Sequence, residues 1–251
     1  MTSMRSAAPQ RGRSLRGRLL TAGAGRPPVL MYHAVGHAGN DPFALYVTPQ
    51  RFAAQMSLLA RLGLRGVCLA ELGDAALRGA ADGLVGITFD DGYRDVLAHA
   101  LPALREHGFG ATFYAVSGLL GGVNAWDPPP RRALMTADDL RGLAAQGYEV
   151  GSHSVSHPRL AGLDPAALRH EVAGSRLALA EVLPAPPRTF CYPYGSVDAP
   201  AVRAVADAGY AYACAVVRVP GLPTVFARPR VGVTERDRGL RLAAKLLLRG
   251  R

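Results

Sequence analysis

From residue 28 onward the chain repeats one pattern: a short apolar run, a polar break, then a longer segment whose apolar residues recur at helical spacing. The runs fall at 29–32, 85–89, 111–116, 149–152, 189–192, 211–215 and 225–227 and predict strands. The longer segments, 49–62, 69–78, 96–107, 137–146, 165–183, 199–208 and 238–248, predict helices. Several are followed by a glycine suited to a helix end, as at Gly63, Gly79 and Gly147. Alternation of this kind requires an α/β fold with a mostly parallel sheet covered by helices, either closed as a barrel or open and doubly wound. No internal repeat is present.

In such folds the loops after the C-terminal ends of the strands carry the chemistry. His33 follows the first run, Asp90 and Asp91 the second, His153 the fourth and Tyr194 the fifth, so all five fall on one rim. The pair of acids in GITFDDGY, residues 86–93, needs an explanation, because neighbouring carboxylates repel and are costly near a core. Side chains alternate along a strand, so Asp90 and Asp91 cannot both enter one site from a regular strand. Gly92 permits a sharp turn that would bring both to the same pocket. The competing reading makes Asp91 an N-cap for the helix that follows.

The segment GSHSVSH, residues 151–157, places two histidines four apart directly after a strand. One helical turn puts such a pair on one face, the spacing with which two imidazoles grip one metal ion. Two imidazoles and one carboxylate leave a coordination position open for water, as in hydrolytic zinc sites. Asp91, His153 and His157 are the candidate ligands of one divalent ion, zinc first. Asp90, held alongside, would stay ionised to take a proton from water. The third rim segment, FCYPYG at 190–195, reads alone as an ordinary turn.

The formal charge of +10 raises nucleic acid or an anionic membrane as partners. Its distribution argues against the first. Residues 1–26 hold six Arg and no acid, residues 228–251 hold seven Arg, Lys245 and two acids, and the stretch between has 15 basic and 17 acidic residues. A nearly neutral body offers no groove for a polyanion, so no nucleic-acid partner is expected and the basic termini leave membrane-surface contact open. Cys68, Cys191 and Cys214 are an odd set without C-x-x-C spacing, which argues against a disulfide framework and a thiolate zinc site. No apolar window suits a secretion signal or a membrane span, so a cytoplasmic protein is expected. The division is a basic disordered tail at 1–26, a catalytic domain at 27–234, and a basic helix at 235–251 packed on or beside it.

TFDDG at 88–92, HSVSH at 153–157 and YPYG at 192–195, in that order, resemble the polysaccharide deacetylases with a NodB-homology domain, carbohydrate esterase family four. VLMYH at 29–33, the Trp126 region and the segment leading into the histidine pair extend the resemblance to about residues 28–233. It implies a distorted (β/α) barrel of about seven parallel strands and metal-dependent removal of acetyl groups from N-acetylated sugars. It also implies Asp90 as catalytic base, Asp91, His153 and His157 as metal ligands, and the Tyr194 backbone N–H as part of an oxyanion hole. An acetylated carbohydrate is the implied partner.

Two departures follow. Many relatives use a histidine in a late Leu-x-His motif as general acid, and this chain has none after His170; FARPRVGV at 226–233 resembles a subset without it. His33 is then the candidate acid, against a reading as a loop-bonding or ligating histidine. Where many relatives have an Arg paired with the catalytic Asp, this chain has Tyr192, so Arg228 or Arg230 is expected to reach Asp90 instead. Trp126 on its Pro-rich loop suits stacking on a sugar, or packing beneath the loop. Trp126, Tyr192, Pro193 and Arg230 are the residues expected against substrate. The rival functions are hydrolysis of another non-peptide C–N bond and a non-catalytic carbohydrate-binding protein that keeps the metal site.

Overall fold

The computed structural model describes residues 27–37 and 39–249; the arginine-rich segment 1–26 expected as a tail lies outside them. In chain order the elements are β1 (Val29–Tyr32), β2 (Ala34–Val35), β3 (Tyr46–Val47), α1 (Pro49–Arg61), β4 (Arg65–Val67), α2 (Leu69–Leu77), β5 (Leu84–Phe89), α3 (Asp95–His99) and α4 (Leu101–Glu106). They continue with β6 (Thr112–Ala115), α5 (Ala137–Ala145), β7 (Glu149–Ser152), α6 (Pro165–Arg169), α7 (Ser175–Ala180), β8 (Thr189–Cys191), α8 (Ala199–Asp207), β9 (Tyr212–Cys214), β10 (Val231–Gly232) and α9 (Gly239–Arg249). One parallel sheet runs in the order β10-β1-β5-β6-β7-β8-β9, seven strands, with short β4 pairing to the lower half of β5. The ring closes through 228–232: Arg228 bridges to Cys214, and three residues on β10 begins to pair with β1. This is the (β/α) barrel of about seven strands that the resemblance implied, and it resolves the choice that the alternation left open.

The two-residue period of the strands decides what enters the barrel. On β5, Val85, Ile87 and Phe89 face outward into the large core beneath the helices, where Phe89 stacks on Phe113 with ring centroids 4.8 Å apart. The alternate positions Gly86, Thr88 and, one step past the strand, Asp90 therefore point inward. The same count carries Val29 and Met31 to His33, Glu149 and Gly151 to His153, and Thr189 to Cys191. The barrel has little room for these: a Cβ on Gly151 would lie 2.4 Å from a Tyr114 ring carbon. Histidine and carboxylate thus form the top layer of a filled barrel.

Several elements differ from expectation. The run at 225–227 is a turn, closed by Phe226 N–H donating to Pro223 O, and the barrel-closing strand comes later, where Pro229 precedes Arg230. The helix expected at 96–107 is two, because Pro102 has no N–H to give and its ring crowds the carbonyl four residues back. The helix expected at 165–183 ends at Ala180 and contains a π-helical turn at His170–Gly174. β2, β3 and β4 were not expected; at two or three residues they are too short for a readable period. The C-terminal helix α9 packs against α1 and β10 through buried Leu242, Ala243 and Leu246. Its Arg241 and Lys245 are tied to buried Asp237 at 2.9 and 2.7 Å, so two of the charges considered for a membrane surface are already paired. No helix among the described residues is long and apolar enough to cross a membrane.

Candidate active site

Above the top layer of the barrel lies a cleft of about 520 Å³ whose lining includes His33, Asp90, Asp91, His153, His157 and Tyr194. The two acids reach it by different routes. Asp90 arrives as the next inward position of β5, with its N–H donating to Tyr32 O at 2.9 Å. Asp91 turns in because it and Gly92 both adopt left-handed φ, +70° and +73°. The turn expected at Gly92 thus begins one residue earlier, on a residue for which that conformation is strained. Asp91 is not a helix cap, since α3 begins only at Asp95.

His153 and His157 converge without the helical turn that their spacing suggested. Residues 153–157 form a loop in which Ser154 and His157 have φ of +67° and +66°. Buried Glu171, on the π-helical turn, holds it by accepting from Val155 N–H at 2.8 Å, Ser156 N–H at 3.0 Å and Ser156 Oγ at 2.6 Å. Ser154 Oγ accepts from His157 N–H at 3.0 Å. A polar anchor fifteen to sixteen residues downstream leaves no local signal, which is why sequence reasoning missed Glu171 and assumed a helix.

The result is a set of three donor atoms. His153 Nε2 and His157 Nε2 lie 3.3 and 3.2 Å from Asp91 Oδ1, with all three residues buried. His153 Nδ1 is 2.8 Å from Cys191 O, and a carbonyl only accepts, so Nδ1 carries a proton, which leaves Nε2 as the nitrogen whose lone pair can serve a metal. Burial pushes the His157 pKa down, against the pull of Asp91, which favours a neutral His157 ring. Burial would raise the Asp91 pKa, but the two imidazoles that face it override this and hold the carboxyl well below its ordinary range. Two nitrogens and an oxygen bound at about 2.0–2.1 Å to one tetrahedral ion would stand roughly 3.3 Å apart. The two carboxylate–imidazole spacings found fit that ion. Removing Asp91 or His153 by Ala should cost more metal affinity than the ~10- to 100-fold lost with an outer partner. Elemental analysis of the purified variants, with bound metal equal to wild type as the failing result, checks this.

Asp90 is held by a different cation. Arg230, whose side chain is fully buried, donates Nη1 to Oδ1 at 2.6 Å and Nη2 to Oδ2 at 2.7 Å. The guanidinium is itself fixed by Thr88 Oγ1 at 3.0 Å, Ala215 O at 3.1 Å and Cys191 Sγ at 3.0 Å. Burial works to raise the Asp90 pKa, but the Arg230 charge and hydrogen bonds outweigh it and leave the carboxyl below its ordinary value. The expectation that Arg228 or Arg230 replaces a missing partner resolves to Arg230; Arg228 Nη2 donates to Pro27 O at 2.6 Å. Placing Arg230 against substrate was wrong, because both faces of its fork are spent inside the barrel. Cys191 also supplies the carbonyl for His153 and a sulfur for Arg230.

The remaining rim residues divide. His33 borders the cleft with Nε2 4.0 Å from Asp90 Oδ2 and its side chain 22% exposed. Tyr194 has left-handed φ of +56° in the turn at Pro193–Gly195, and its hydroxyl donates to Asp127 Oδ1 at 3.2 Å. Burial pushes its phenol up to about 12, so it stays protonated. Tyr192 borders the cleft, but its hydroxyl turns away to Phe226 O at 2.8 Å, and Pro193 is buried in the turn. Trp126 is not an open platform: its ring stacks on His157 with centroids 4.3 Å apart and planes 26° apart. The alternative of a ring packed beneath its loop is the one realised, and its effect is to buttress a candidate ligand.

The sequence profile of the polysaccharide deacetylases matches residues 78–213, more than half of the chain. The chain belongs to this family. The Bacillus subtilis (strain 168) protein YxkH is 28% identical over 188 residues, 73% of this chain and 62% of YxkH. The chitooligosaccharide deacetylase of Bradyrhizobium sp. (strain ANU 289) is 30% identical over 147 residues, 58% of this chain and 59% of its own length. The chain thus spans about three-fifths of each of these relatives. Among solved structures, the Streptococcus pyogenes deacetylase PplD in complex with acetate superposes with a TM-score of 0.75 at 22% identity, covering 88% of this chain and 97% of that one. IcaB from Ammonifex degensii gives 0.76 at 23% identity, with 89% and 97% covered. These two likenesses establish the shared polysaccharide deacetylase fold. The three segments that carried the resemblance, at 88–92, 153–157 and 192–195, are the loops that meet in the cleft.

Proposed function

We propose that this polysaccharide deacetylase homologue is a zinc-dependent hydrolase that removes acetyl groups from N-acetylated sugars of a polysaccharide, an oligosaccharide or a glycan precursor. The observation that carries the proposal is a buried, ionised Asp90 set beside an open three-donor metal set on the floor of one cleft. A chain that only bound sugars would have no use for the second, repelled carboxylate or for the arginine that keeps it charged.

Amide hydrolysis needs an activated water, a stabilised oxyanion and a proton for the leaving nitrogen. A zinc ion held by Asp91, His153 and His157 supplies Lewis-acid polarisation and a lowered pKa for water at the site. Asp90 takes the proton of the attacking water at a carboxylate oxygen. The Tyr194 backbone N–H, at the left-handed turn beside His157, faces the developing oxyanion. His33 gives a proton to the departing amine from Nε2, the role left open by the missing late histidine. Of the imidazoles lining the cleft it is the one outside the ligand set.

Acetate release from an N-acetylglucosamine tetramer by the zinc-loaded full chain, lost on chelation and restored by zinc, is the expected result. No release from a panel of N-acetylated glycans by protein that holds its metal would sink the reading. His33→Gln should lower kcat by about 10²- to 10⁴-fold with metal content unchanged, the range for a general acid. Turnover equal to wild type would remove His33 from the mechanism.

A further inference from the structure

With Trp126 spent on His157, a different ring stands open at the cleft. Phe43 is 53% exposed and lines the same cleft as His33, Asp90 and Tyr194. An exposed apolar side chain is ordinary by itself. The backbone beside it is not. Five non-glycine residues among those described have left-handed φ, and four of them, Asp91, Ser154, His157 and Tyr194, shape the site. The fifth is Ala44, at +53°, between Phe43 and Leu45, both of which line the cleft. Strain of this kind persists only where its surroundings over-determine it.

Here they do. Asp41 accepts from Leu45 N–H at 2.9 Å and Tyr46 N–H at 2.8 Å, and its own carbonyl accepts from Ala44 N–H at 3.2 Å. Arg132, from the loop that carries Trp126, stacks 3.9 Å above the Tyr46 ring and donates to Asn40 O at 3.1 Å. A short turn is closed by its own aspartate and clamped by Arg132 from the neighbouring loop, and what it presents is Phe43. Tyr194, the other exposed ring at the mouth, has Arg159 over one face at 4.6 Å and meets the His157 ring at 4.6 Å. Phe43 has no ring or cation partner among the described residues and keeps its face free.

The geometry points to Phe43 as the stacking platform for a pyranose of the substrate next to the acetylated unit, an inference that rests on the deacetylase reading. The C–H face of a pyranose is apolar and flat, and an aromatic ring held rigid at the edge of a polar site is the complement it needs. The cleft is larger than an acetamide requires and falls within the range that encloses a ligand of several rings.

Steady-state acetate release from the N-acetylglucosamine tetramer by wild type, Phe43→Ala and Phe43→Trp tests this. Phe43→Ala should raise KM about tenfold with the loss smaller in kcat than in KM, and Phe43→Trp should restore it. An unchanged KM in Phe43→Ala, or a loss shared equally by kcat and KM that Phe43→Trp does not repair, overturns the platform. If wild type releases no acetate, the deacetylase reading fails by itself, and calorimetric titration of the same tetramer into the three proteins decides the platform. Weaker binding by Phe43→Ala alone supports it; equal affinities, or no binding by any of the three, overturn it.

Discussion

Asp90→Asn should lower kcat for acetate release by about 10²- to 10⁴-fold while leaving one metal ion bound per chain. The amide has the shape of the carboxylate but no basic lone pair for a water proton, so the substitution removes the chemistry and leaves Asp91, His153 and His157 in place. Its second effect is local: the Arg230 fork, which donates to both oxygens, would meet an NH2 group at one of them. A modest loss of thermal stability should therefore accompany the loss of turnover. Elemental analysis and steady-state kinetics on the same preparation separate the two. Turnover within tenfold of wild type would move the general base elsewhere, and loss of the metal would show that Asp90 belongs to the ligand set.

How much of this was legible in the sequence follows from the range over which each signal acts. Strand periodicity is local, and it carried β1 and β7 to the residue and most of the others to within one or two. The positions of His33, Asp90 and His153 follow from the same count, because each is the next inward step past a strand. The HSVSH spacing identified the right pair of imidazoles for the wrong reason. A loop with two left-handed residues, pinned by Glu171 from a distant helix, brings them together where an α-helical turn was assumed. Trp126 shows the opposite limit: an aromatic on a Pro-rich loop has no pattern to say which way it faces, and His157 claims it. The barrel-closing strand was misplaced because an apolar triplet at 225–227 outweighed a segment interrupted by Pro229, whose strand character comes from the neighbours on both sides. Family resemblance supplied roles, but the partner of Asp90 had to be found in space.

That partner yields the second large effect. Arg230→Ala should destabilise the protein by roughly 3–5 kcal/mol, because it leaves a buried carboxylate without its cation. In a chain of this size that corresponds to a melting temperature lower by roughly 6–20 °C. The pH dependence has a definite sign. The folded-state pKa of Asp90 lies below its ordinary value, so the pair contributes stability above that ordinary value and loses it as pH falls through the folded pKa. Without Arg230 the burial that now opposes ionisation goes unanswered, and the Asp90 pKa moves up. The acid limb of kcat/KM, which reports the carboxylate in the free enzyme, should then shift to higher pH in Arg230→Ala and by less in Arg230→Lys, which keeps the charge and loses the fork. The double variant Asp90→Asn with Arg230→Met should recover much of the stability and none of the activity, since neither a charge nor its counter-charge remains buried. An acid limb that stays in place in Arg230→Ala would mean that the arginine only packs the barrel. A shifted limb with recovered stability in the double variant would mean that one buried residue, set directly before the last strand, both closes the fold and keeps its base ionised.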